Sequence, residues 1–132
     1  MLWTVFIAIE SFFGSSANTG PILEAVTVWL FGHLDPTSFD RLHAILRKGG
    51  HFLGYGILGY FWFRAFSATF PKGARYIWAA LAIGCTFSIA SLDEWHQSFS
   101  PFRTGHFGDV VLDTCGALFL VSMAMIAIRR HR

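Results

Sequence analysis

Apolar residues fall along this chain in blocks too long and too continuous for the one-sided stripe of a soluble surface helix. The first block runs from Met1 to Phe13, is interrupted by Glu10, and closes at the turn-like stretch Gly14-Ser15-Ser16-Ala17-Asn18. A secretory signal would begin with a basic segment, which is missing, so this block is read as a first transmembrane helix over about residues 1–16, with a ragged start. Asn18-Thr19-Gly20 followed by Pro21 then marks a helix start, with proline in the first turn. The run from Ile22 to Leu34 is broken only by Glu24 and His33. It falls short of the roughly 20 apolar residues needed to cross the hydrocarbon, which predicts a re-entrant or interfacial helix. Asp35-Pro36 repeats the cap-and-proline signal. Phe39, Leu42, Ile45 and Leu46 follow at helical spacing, with Asp40, Arg41, His43 and Arg47 on the opposite side, the pattern of a helix lying along a membrane surface.

Three longer blocks complete the pattern. One starts at Lys48-Gly49-Gly50 and reaches Phe66, before a turn at Pro71-Lys72-Gly73; the next covers residues 76–92. A polar loop, DEWHQSFSPFRTGHFG, occupies residues 93–108, and a last block from Asp109 to Ile128 ends in the basic tail Arg129-Arg130-His131-Arg132. The expected fold is all-α: a single-domain polytopic membrane protein of about four transmembrane helices (about 1–16, 48–66, 76–92 and 109–128), plus one or two short interfacial or re-entrant helices.

Composition agrees. Of 132 residues, 54% are hydrophobic and only 14% charged, too little polar surface to wet a soluble domain. The net charge of +2 is small and the basic residues are scattered or terminal, so no stripe tracks nucleic-acid phosphates and nucleic acid is set aside as a partner. Cys85 and Cys115 lie in apolar blocks without metal-ligand spacing and read as small core residues; Trp62, Trp78 and Trp95 suit interface anchors. With four crossings, one side holds Arg64, Lys72, Arg75, Arg129, Arg130 and Arg132, six of the ten basic residues. The positive-inside rule then places both termini in the cytoplasm, with the connections carrying residues 14–47 and 93–108 outside.

Chemistry gathers at that outer side. Lys48, His51 and Tyr55 are three and four residues apart and share a helical face; Asp109 and Asp113 repeat the spacing on the last block. Asp93, Glu94, His96 and Gln97 close the third block at the same level, and Arg103 and His106 sit in the loop beyond. Ionisable residues at membrane depth are costly and mark functional sites by default. The bland alternatives are that Lys48, Asp93 and Arg103 are wet flanking residues and His51 a satisfied polar residue. Asp109 and Asp113 resist dismissal, because carboxylates one turn apart repel unless a cation or shared proton balances them, although a helix start favours acids.

Lys48-x-x-His51-x-x-x-Tyr55-x-x-Leu58-Gly59, followed by Asp93-Glu94-x-His96-Gln97-x-Phe99-x-Pro101-x-Arg103-x5-Asp109-x3-Asp113-x-x-Gly116, resembles the VanZ-like family of bacterial membrane proteins, over roughly residues 48–120. The resemblance implies a role linked to low-level resistance to the glycopeptide teicoplanin. It also implicates Lys48, His51, Glu94, Gln97, Arg103 and Asp109 as the functional set. The family commonly has Asn where this chain has Asp113, so the chain carries an extra carboxylate.

Three classes of function follow. The favoured one is a non-catalytic envelope protein whose outward polar pocket, formed by Lys48, His51, Tyr55, Glu94, His96, Gln97, Arg103, Asp109 and Asp113, binds a lipid head group, a lipid-linked cell-wall precursor or a glycopeptide. The second is a membrane-embedded hydrolase or transferase in which His51, Glu94, His96, Asp109 and Asp113 hold a divalent metal; no tight ligand motif such as HExxH supports it, and no cofactor is assigned. The third is a structural or assembly subunit. Lys48 and Arg103 against Asp93, Glu94, Asp109 and Asp113 leave the pocket formally at −2, which does not favour an anion.

Overall fold

The computed structural model describes residues 16–99 and 107–130, and every element in them is α-helical: α1 (Ser16–Phe31), α2 (Pro36–Thr69), α3 (Arg75–Gln97) and α4 (Phe107–Arg130). The expected first span lies outside the described residues except for Ser16. The chain divides into two compact units, Met1–Arg47 and Lys48–Arg132.

In the first unit α1 begins earlier than the sequence suggests. Ser16, Ala17 and Asn18 are helical instead of forming a turn, and Pro21 lies inside the helix and not in its first turn. An interior proline removes one hydrogen bond but leaves the rest of a flanking apolar helix able to form. The helix ends at Phe31, short of the expected Leu34, because Gly32 turns to φ 78° while its amide still reaches the Val28 carbonyl at 3.1 Å. That left-handed residue after a helix is the position glycine fills without steric cost.

The Asp35-Pro36 signal is borne out. Asp35 caps α2: its Oδ2 accepts the Ser38 amide at 3.0 Å, and Pro36 is the first helical residue. Hydrogen bonds from the Ser38 side chain and backbone hold the Asp35 carboxyl below the ordinary aspartate pKa. A depressed folded-state pKa means that the cap is present above the unfolded value and lost as pH falls through the folded one. Asp35→Ala should therefore speed hydrogen exchange of the first-turn amides of α2 at neutral pH, and the difference from the parent should vanish in acid.

The expected surface helix and the 48–66 span are one element. α2 runs 34 residues without interruption through Gly49-Gly50. Glycine lowers helix propensity by only about 1 kcal/mol per residue and, unlike proline, leaves the hydrogen-bond ladder intact, so a pair of glycines does not end a helix. The Pro71-Lys72-Gly73 turn forms as expected, with the Gly73 amide on the Phe70 carbonyl at 2.9 Å. The Phe70 carbonyl also accepts the Trp78 indole N–H at 3.1 Å. Trp78 is thus 9% exposed and part of a core with Phe63, Ala79, Ala82 and Val121, not an interface anchor. Trp95, at 63% exposure, keeps a position suited to one.

The boundary at the far end of α3 also moves. Asp93 to Gln97, expected in the loop, are the last turns of the helix. Cys85 is half-buried and Cys115 exposed, so neither is the buried core residue expected; Cys115 points away from the protein interior that the neighbouring Gly116 and Ala117 enter. Among the described residues two helices are long and apolar enough to cross a membrane, Arg75–Gln97 and Phe107–Ala127. The 48–66 segment of α2 is not one of them, since Lys48, His51, Arg64 and its glycines dilute its apolar content.

Candidate functional site

Within the second unit α2 and α4 touch through their smallest residues. A Cβ built on Gly59 would stand 2.8 Å from the Ala117 Cβ, one on Gly56 would stand 3.0 Å from the Gly116 carbonyl oxygen, and one on Gly116 would fall on the Phe52 backbone. Such an approach leaves no room for water between the helices. Above the Phe63–Trp78 core, Tyr55 packs with Ala90 and Val110, bringing in α3 as well.

That packing sets the site. His51 and Tyr55, one turn apart on α2, stack their rings at 6.1 Å. The Tyr55 hydroxyl, on a residue 2% exposed, donates to Asp93 Oδ2 at 3.1 Å. Gln97, one turn further along α3, donates its Nε2 to the same oxygen at 2.7 Å. Across to α4, His51 Nδ1 faces Asp113 Oδ1 at 3.6 Å, an ion-pair separation for a protonated imidazole but too long for a hydrogen bond. Asp113 is 2% exposed. Asp109 lies one turn before it, half-buried, in the first turn of α4 where the positive helix end favours an acid.

Of the sequence-derived residues, His51, Tyr55, Gln97 and Asp113 converge, and Glu94 is buried beside Asp93 on α3. Lys48 and His96 are exposed, and among the described residues neither forms an ion pair or hydrogen bond with the cluster. Arg103 and His106 lie outside the described residues. Among the described residues, the neighbour that Asp113 faces across the helices is His51. Asp93 was placed at the level of the cluster but left out of the binding set, yet it is the acceptor that joins α2 to α3. Its one available signal was its position four residues before Gln97, which puts both on one face of a helix. Among the described residues no three His, Cys, Asp or Glu groups come within reach of one metal ion, so His51, Glu94, His96, Asp109 and Asp113 do not assemble there as a ligand set.

The described residues are all-helical, with two helices long and apolar enough to cross a membrane, a glycine-tight third, and a His/Tyr/Asp/Gln cluster among them. A family model described as VanZ/LLP1 matches residues 1–128, well beyond the 48–120 region that carried the resemblance, and the chain belongs to that family. No curated protein and no solved structure matches it.

Proposed function

We propose that this chain is a non-catalytic, multi-pass protein of the bacterial inner membrane, whose polar cluster opens to the outer face and binds a lipid head group, a lipid-linked cell-wall precursor or a glycopeptide. The observation that carries this reading is the convergence of side chains from three helices, Tyr55 and Gln97 on Asp93 and His51 on Asp113. Polar groups at such depth are expensive to keep, and a network that only held the bundle together could be replaced by apolar packing at little or no cost. The metal-dependent hydrolase draws no support from the described donor set.

Expression in a glycopeptide-sensitive host tests the role that family membership suggests. The parent chain should lower susceptibility to teicoplanin, and Asp109→Asn should abolish the effect at equal protein abundance. Unchanged susceptibility with well-expressed parent protein would remove the resistance-type role. In this reading both termini are cytoplasmic, on the strength of the six basic residues on that side. A C-terminal alkaline phosphatase fusion should accordingly be inactive, and activity from the periplasm would turn the cluster to the inside.

A further inference from the structure

We propose that the chemical group recognised by the cluster is a primary ammonium, carried by a lipid head group or a peptide amino terminus; this rests on the ligand-binding reading above. The first support is an inventory of donors and acceptors. Tyr55 and Gln97 direct a hydroxyl and an amide N–H to one oxygen, Asp93 Oδ2, so among the described residues the side-chain donors to Asp93 are neutral. Asp113 is 2% exposed, its Oδ1 has no hydrogen-bond partner among the described residues, and the His51 imidazole stands 3.6 Å from it. Asp109 adds a carboxylate one turn away. Among the described groups acceptors and negative charge are therefore in excess, and a positively charged donor would complement them.

The helix ends point the same way. Glu94 lies in the last turn of α3 and Asp93 at its edge, the end of the helix dipole where basic residues normally sit. A cation at this end is favoured by the helix as well as by the carboxylates. Phosphate or carboxylate ligands meet the opposite field. A compact divalent ion needs its oxygens at about 2.0–2.6 Å from one point, which the described groups do not provide. An ammonium with three N–H donors reaches acceptors at about 2.8 Å and accepts a looser set. Because Asp109 is half-exposed and Asp113 buried one turn deeper, the approach runs along the start of α4.

The test uses the full chain purified in detergent, with thermal unfolding followed as short-chain phosphatidylethanolamine, phosphatidylcholine, phosphatidylglycerol or glycyl-glycine methyl ester is added. The ethanolamine lipid should raise the unfolding temperature, and the choline lipid, with the same phosphate and charge but no N–H, should not. Stabilisation by the dipeptide ester would locate the ammonium on a peptide, and stabilisation by the lipid alone on a head group; either supports the proposal. Asp113→Asn should unfold near the parent temperature without added amine, and should need roughly tenfold more ethanolamine lipid for the same shift, the scale of one charge-assisted hydrogen bond lost. Should that variant not fold, Asp109→Asn should show a weakened response in the same direction. Equal stabilisation by the choline lipid, or an unaltered response in both variants, overturns the inference. Response to phosphatidylglycerol without response to either amine also overturns it while leaving the binding pocket standing. No response to any of the four removes the inference and counts against the pocket as well.

Discussion

Gly116→Ala should be among the most damaging single-methyl additions in this chain. In an open helix position, replacing Gly by Ala gains up to about 1 kcal/mol. At Gly116 the new methyl would fall on the Phe52 carbonyl, and that neighbour is backbone, which cannot rotate away. Relief requires α2 and α4 to part. Parting them disturbs the contacts of Gly56 and Gly59 and the reach of His51 to Asp113. The overpacking cost should therefore sit at or above the upper end of the usual range, about 3 kcal/mol, and outweigh the propensity gain. Gly84 and Gly54 provide the control, because a Cβ at either meets nothing within 4 Å. Gly84→Ala and Gly54→Ala should be neutral or stabilising by up to about 1 kcal/mol. Thermal unfolding of the three variants in detergent checks the ordering, and a Gly116→Ala protein as stable as Gly84→Ala would refute the close approach of α2 and α4.

The second large effect belongs to Asp93→Ala. It leaves the Tyr55 hydroxyl, on a residue 2% exposed, and the Gln97 amide, on a residue 8% exposed, without their shared acceptor. Each buried donor left unsatisfied costs about 1–3 kcal/mol, so the loss of two should be about 2–6 kcal/mol. Asp93→Asn, which keeps an oxygen in place, should lose less than half of that. Tyr55→Phe removes one donor together with its need and should cost only about 1 kcal/mol. Combining Tyr55→Phe with Asp93→Ala should give a loss smaller than the sum of the single changes, since one of the orphaned donors is gone. Additive losses would mean that the two residues do not meet.

Much of the helical plan was legible from local chemistry. Asp35-Pro36 and Pro71-Lys72-Gly73 each carry a backbone mechanism in their residue types, a side-chain cap with a fixed φ and a turn, and both formed where expected. The misreadings share a cause. Gly49-Gly50, the serine-rich start of α1 and the polar run from Asp93 to Gln97 all look like breaks by hydropathy, but hydropathy reports the solvent a segment prefers and says nothing of whether its backbone hydrogen bonds continue. At the end of α3 those two properties separate, and the helix continues through Asp93 and Gln97, whose side chains hydrogen-bond to each other while Asp93 also accepts from Tyr55 of α2. Spacing placed His51 with Tyr55 and Asp109 with Asp113 correctly on shared faces. It could not show that Asp113 meets His51, or that Asp93 gathers both Tyr55 and Gln97, because those contacts depend on how closely α2 and α4 approach, which small residues at Gly56, Gly59 and Gly116 decide through packing and not through pattern.

The placement of the cluster at an outward-facing, ligand-accessible site is tested most directly by thiol labelling at Asp109, its half-exposed member. The substitution Asp109→Cys is made with Cys85→Ala and Cys115→Ala, since Cys115 is exposed and would react itself. A membrane-impermeant maleimide added to intact spheroplasts should label the introduced thiol. Reaction only in inverted vesicles would contradict an outward-facing site.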